Sequence, residues 1–244
     1  EKEFGLREVI IVGENSSEDG MKESLGEAAA RYLEYTIKDG NIVGVSMGST
    51  LFEVVSHVVH PAAQKVTFVP LVGGVGRVRM ELHANSLAES LSRIYDGKFV
   101  PLHAPARVSS RNIRDELLKE DSLLPAIYLT QKLDIAVVGI GYPNEKSAIM
   151  ATGYFKENEI ESLIDRKVAG ELCMQFYDIY GDTAPYKDDN NVIGMDISML
   201  RSVPRSIGIA GGIEKLRAVR GAINGHYINT LITDIECAEA LISE

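Results

Sequence analysis

Residues 41–55, NIVGVSMGSTLFEVV, run a short apolar strand directly into a helix. Ile42–Val45 is apolar throughout, and Leu51, Val54 and Val55 then recur at helical spacing. Between them, Ser46-Met47-Gly48-Ser49-Thr50 is short, small and rich in backbone. Two readings fit. A tight strand-to-helix turn needs glycine, with Ser49 or Thr50 capping the helix. Alternatively, the amides and hydroxyls of Gly48, Ser49 and Thr50 receive an anion at the positive end of the helix.

Working outward, the same strand-helix unit repeats. Val9–Val12 reads as a strand, and residues 21–37 read as a helix with Leu25, Ala28, Ala29, Tyr32, Leu33 and Ile37 on one face. Val66–Leu71, Asp134–Gly141, Arg205–Gly212 and Asn229–Asp234 are further apolar strands. Helices are expected over about 50–59, 80–95, 213–222 and 235–243, and in IRDELLKED and LLPAIYLTQKL. Continuous rather than alternating apolar strands argue for a parallel sheet buried on both faces. The alternation with helices predicts a doubly wound, mostly parallel, Rossmann-like α/β fold in a single domain over 1–244. Residues 145–164 break the rhythm and read as a small insertion or lid, taken as possible over 145–190. YGDTAPYKDDNN (180–191) reads as a surface loop.

With 25 Lys and Arg against 35 Asp and Glu, the net charge of −10 is a poor match for nucleic acid, which needs clustered cations. Cys173 and Cys237 have neither metal-ligand nor redox-motif spacing and suggest core packing in a reducing, cytoplasmic setting. No apolar run reaches the roughly 18 residues of a membrane span, and the charged start EKEFGLREV is unlike a signal peptide. The absence of an initiator Met reads as a fragment cut from a longer chain.

Three glycine-rich turns each follow an apolar strand: residues 46–50, Gly73-Gly74-Val75-Gly76-Arg77, and Gly211-Gly212-Ile213-Glu214-Lys215. Ligands of open parallel sheets bind beyond the carboxyl ends of the strands. A lysine in the first turn of a helix opposes the helix dipole unless an anion lies beside it, which singles out Lys215, and Arg77 by the same logic. Together these turns favour a phosphate site. Neither a Walker loop nor a G-x-G-x-x-G fingerprint is present. His83 and Asn85 either face that site or merely start a helix. Asp178 either accepts sugar hydroxyls or forms the turn before Gly181. Asp234 reads as the N-cap of the last helix. His57, His60, His103 and His226 show no metal spacing, and neither a metal nor a cofactor is expected.

In this order, VGVSMGST, FVPLVGGVG, HANSLAESL, IAVVGIG, VAGELCMQFYDIYGD, IGMDISMLRSVPRSIGIAGGIEKLRAVRGAI and NTLITDIECAEAL resemble the sugar-binding domain of SorC/DeoR-type bacterial transcriptional regulators. The likeness spans about residues 9–243 and is strongest over 192–241. It implies a fold similar to sugar-phosphate isomerases and deaminases, a phosphorylated sugar as effector, and a homo-oligomer, dimer or tetramer. It also implies operator DNA bound through an N-terminal helix-turn-helix segment not contained in this sequence. By the resemblance, Gly48, Ser49, Thr50, Gly73, Gly74, Gly212 and Lys215 hold the phosphate, while His83 and Asp178 meet the sugar. One branch of the family uses a Schiff-base lysine; Lys146, in the polar stretch after GIGYPN, is a poor match for it.

The rival reading is an enzyme, because VGVSMGST also resembles the phosphate loop of ribose-5-phosphate isomerase. Such an enzyme needs a carboxylate base on the substrate carbon. The isomerase patterns D-G-A-D-E and K-G-x-G-G are missing, as is the deaminase's Asp-Gly-His after the strand. A binding module without catalytic residues is therefore the expectation.

Overall fold

The computed structural model describes residues 1, 4–13, 17–59, 61–76, 79–144, 147, 149 and 152–243. Arg77, Lys146 and His60 lie outside the described residues. The strands are β1 (Glu8–Val12), β2 (Ile42–Val45), β3 (Thr67–Pro70), β4 (Lys98–Phe99), β5 (Ile135–Gly139), β6 (Gly170–Leu172), β7 (Gln175–Tyr177), β8 (Arg205–Ile209) and β9 (Thr230–Asp234). Seven of them form one sheet in the order β1-β9-β8-β5-β2-β3-β4, with every pairing parallel. The helices are α1 (Glu18–Thr36), α2 (Ser49–His57), α3 (Ala84–Ile94), α4 (Arg111–Leu117), α5 (Leu124–Thr130), α6 (Glu157–Asp165), α7 (Leu216–Asn224) and α8 (Ile235–Ser243).

Strand β5 shows why the runs are continuously apolar. Ile135 and Val137 pack into a core with residues of α1, α2 and α3, while Ala136 and Val138 pack into another with α5, α7 and α8. Successive strand side chains point to opposite faces, so both faces must be apolar when helices cover both. From β2 the chain builds outward through β3 and β4. It then returns to the other side of β2 with β5 and continues through β8 and β9. The order therefore reverses between β2 and β5, which makes their carboxyl ends the switch point of the sheet.

The stretch 145–190 contains α6 and an antiparallel β6–β7 hairpin that the sequence reading did not foresee. Its two-residue turn is Cys173-Met174, both at positive φ (51° and 62°). That geometry is normally signalled by Asn or Gly, so the sequence carried no turn signal. Phe155, Ile160, Leu163, Phe176 and Tyr186 form a separate apolar cluster with Val72, Val75 and Ala106. The loop expected over 180–191 is pinned by this cluster, because Tyr186 is fully buried and its hydroxyl donates to the Arg166 carbonyl at 2.9 Å.

Candidate functional site

A cleft of about 540 Å³ opens at the switch point, beyond the carboxyl ends of β2, β5 and β8. Its lining includes Gly48, Ser49 and Thr50 from the first corner, Gly139, Ile140 and Gly141 from the end of β5, and Gly211, Glu214 and Lys215 from the end of β8. Further walls come from α1 (Glu18, Met21, Lys22), from Glu171 of β6, and from the segment after β5 (Tyr142, Asn144, Ser147, Ile149).

The β2–α2 corner leaves backbone donors open towards the cleft. Gly48, the N-cap of α2, sits at φ 127°, a conformation that L side chains rarely adopt, and no side chain caps the helix. Neither Ser49 nor Thr50 therefore plays the capping role. First-turn N–H groups have no acceptor within their own helix. Those of α2 lie at the cleft. The Gly48 N–H is an exception, because it donates to the Leu82 carbonyl at 3.1 Å.

Across the cleft, Lys215 ends a short 3-10 turn (Ile213–Lys215) that leads into α7. This turn is held from below. The Gly212 N–H donates to Oδ2 of Asp234 at 2.6 Å, and Oδ1 of the same carboxylate accepts the Cys237 N–H at 3.1 Å. Asp234 thus caps α8, as its sequence position indicates, and also fixes the loop that carries Lys215.

Glu171, like Glu18 and Lys22, is a charged lining residue that the sequence reading missed. Its backbone pairs with Gly141 through two hydrogen bonds, Gly141 N–H to Glu171 carbonyl at 3.0 Å and Glu171 N–H to Gly141 carbonyl at 2.8 Å. Oε2 accepts the Met174 N–H at 2.9 Å, so the carboxylate is clamped by the strained hairpin turn. A Cβ on Gly141 would lie 2.0 Å from Oε1, so any side chain there would have to displace the carboxylate. Burial pushes the Glu171 carboxyl up to about 7, against the pull of the Met174 N–H and the Lys215 cation. On α1, the Glu18 carboxyl lies below its ordinary value, chiefly because Lys22 bonds it at 2.5 Å, with Lys215 a smaller cause.

Of the sequence-derived candidates, the structure brings Gly48, Ser49, Thr50 and Lys215 together around the cleft. Gly73 and Gly74 are not in its lining: their N–H groups donate to the carbonyls of Ile193 (2.9 Å) and Ala104 (2.8 Å), which knits β3 to the neighbouring loops. The Gly212 amide donates to Asp234, and Gly212 is outside the cleft lining. Asp178 is a turn residue: its Oδ1 accepts the N–H groups of Tyr180 (2.9 Å) and Asp182 (2.8 Å). His83 is the half-buried N-cap residue of α3 and is likewise outside the lining.

Asn85 holds the chain beyond β4 rather than a ligand. Its side chain accepts the Leu102 N–H at 3.0 Å and donates to the Leu102 carbonyl at 3.1 Å. Replacing Asn85 with Ala strands both backbone groups and should cost about 2 kcal/mol of unfolding free energy, read from urea denaturation. A loss under about 0.5 kcal/mol would mean that water replaces the amide without penalty.

The third wall came from Gly139–Gly141 rather than from Gly73-Gly74. Glycines at the end of IAVVGIG were a usable signal, since the rule applied to the other three turns covers them equally. Among the described residues, no group of three or more His, Cys, Asp and Glu side chains could hold a metal ion, and no helix is long and apolar enough to cross a membrane.

Comparison with known proteins places this geometry in context. The family described as "Putative sugar-binding domain" matches residues 1–243. The deoxyribonucleoside regulator of Bacillus subtilis (strain 168) is 27% identical over 247 residues, covering 100% of this chain and 78% of the relative. A transcriptional regulator LsrR of Escherichia coli is 30% identical over 246 residues, covering 99% of this chain and 74% of the relative. Among solved structures, the full-length sorbitol operon regulator SorC from Klebsiella pneumoniae superposes with a TM-score of 0.88 at 28% identity, covering 99% of this chain and 78% of that one.

Proposed function

Because this chain belongs to the sugar-binding domain family of SorC/DeoR-type transcriptional regulators, we propose that its cleft binds a phosphorylated sugar and that the chain works as the effector-sensing part of a regulator of carbohydrate metabolism. The observation that carries the reading is the pairing, across one cleft, of the uncapped start of α2 with Lys215. The phosphate sits between them, accepting hydrogen bonds from the first-turn amides and the hydroxyls of Ser49 and Thr50, while Lys215 supplies the countercharge. Glu171 accepts hydroxyl groups of the sugar.

Binding then reaches the rest of the molecule by a defined route. A ligand that pulls on Lys215 loads the turn that Asp234 ties to β9 and α8. The effector shifts the regulator only as far as it binds one state better than the other. Operator DNA and the partner copies of a homo-oligomer are contacted by other surfaces or by parts of the regulator outside this sequence. This reading includes no turnover. It rests on relatives that are named as regulators and on the missing isomerase and deaminase patterns.

A thermal-shift screen of phosphorylated pentoses, hexoses and polyols tests it, with product analysis of every hit. Stabilisation without consumption is the expected result. Conversion of any compound establishes an enzyme instead. Replacing Lys215 with Ala should weaken the best hit about tenfold, and Thr50→Ala should weaken it by less, with the fold intact by circular dichroism. Parent-like affinity in both variants removes the phosphate from this corner.

A further inference from the structure

The charges around the cleft are unevenly distributed. Its charged residues, among those described, are Glu18, Lys22, Glu171, Glu214 and Lys215. Lys22 is engaged by Glu18 on the next turn of α1, so that pair is close to neutral from a distance. Among the described residues, what remains is one cation, Lys215, beside the start of α2, and two carboxylates, Glu171 and Glu214. Glu171 is held at the cleft by its backbone and by one carboxylate oxygen. Its backbone is bridged to Gly141, its Oε2 is held by the Met174 N–H, and its Oε1 fills the space a Gly141 side chain would occupy. A held, half-buried carboxylate in a cleft wall repels a second anion more strongly than a mobile surface carboxylate does.

We propose that the cleft selects by charge along its length: it takes a sugar or polyol carrying one phosphate and an otherwise uncharged chain, and the clamped Glu171 carboxylate excludes sugar bisphosphates and phosphorylated sugar acids. This rests on the phosphate reading above and narrows it to a ligand class. Hydroxyl groups can donate to Glu171. A phosphate or carboxylate in their place brings only acceptors and a second negative charge.

The test uses the whole chain at pH 8 with EDTA, so that no divalent cation masks the repulsion. Titrations compare fructose 6-phosphate with fructose 1,6-bisphosphate, glucose 6-phosphate with 6-phosphogluconate, and inorganic phosphate alone. The parent should prefer the member of each pair that carries only one anionic group by about tenfold or more. Glu171→Gln should bring each ratio close to one, while Glu171→Asp, which keeps the charge, should retain the preference. Inorganic phosphate binding that is lost in Lys215→Ala supports the phosphate corner independently of Glu171. If phosphate binds in that way but the parent takes bisphosphates as readily as monophosphates, or if Glu171→Gln leaves the ratios unchanged, the charge filter is overturned and the phosphate corner survives. If neither phosphate nor any sugar phosphate binds at millimolar concentration, both are overturned.

Discussion

Asp234→Ala lowers the unfolding free energy by about 3 kcal/mol, the largest loss expected from a single polar side chain near the cleft. The carboxylate is 1% exposed and accepts two backbone N–H groups, from Gly212 and Cys237. Hydrogen bonds to a charged acceptor contribute roughly 1.5–3 kcal/mol each, and their loss here strands buried donors. Part of the cost is the missing cap on α8, typically about 1 kcal/mol. For a domain of this size, 3 kcal/mol corresponds to a drop of roughly 6–12 °C in Tm. Asp234→Asn keeps one acceptor oxygen and should lose less than half as much. Calorimetry and urea unfolding read both variants. A loss below 1 kcal/mol for Asp234→Ala would show that the Gly212 turn holds its shape without the carboxylate. The functional consequence follows from the same bonds: with Gly212 released, Lys215 loses its fixed position, so effector affinity should fall even when measured well below Tm.

The second expected result is a pH dependence assigned to one residue. The Glu171 carboxyl is pushed up to about 7 in the folded protein, first by burial, against an ordinary value of 4.5. Between those two values the folded state holds a proton that the unfolded state has released. Stability therefore falls as pH rises through that window. Below it the group is neutral in both states and the stabilisation is complete; above it the folded protein carries a buried charge. Allowing for the cleft's partial access to solvent, the change should amount to about 2 kcal/mol. Glu171→Gln removes this dependence and makes the ligand-free protein more stable at pH 8 by a similar amount, while leaving it near parity at pH 4. Unfolding free energies of both proteins at the two pH values decide the matter; parallel profiles would mean that another group carries the titration.

The alternation of strand and helix, the burial of both sheet faces and the cap at Asp234 were legible in the sequence because each is a local pattern. Apolar runs at β5 and β8 state that both faces are covered, and a carboxylate just before a helical stretch states that it caps it. Gly48, Ser49, Thr50 and Lys215 were legible for a related reason: small residues at strand ends and a lysine at a helix start are unusual locally. Which of these corners meet was not legible. Gly73-Gly74 and Gly139–Gly141 look alike as sequence, but β5 enters the sheet beside both β2 and β8, whereas β3 lies on the far side of β2. The pairing of β2 with β5 joins segments about ninety residues apart: the Ile42 N–H donates to the Asp134 carboxylate, 92 positions away in the sequence. Glu171 depended still more on the fold. It reaches the cleft only because a hairpin with an unsignalled turn is bonded to Gly141, so its burial, charge and role belong to contacts that no local pattern of residues encodes.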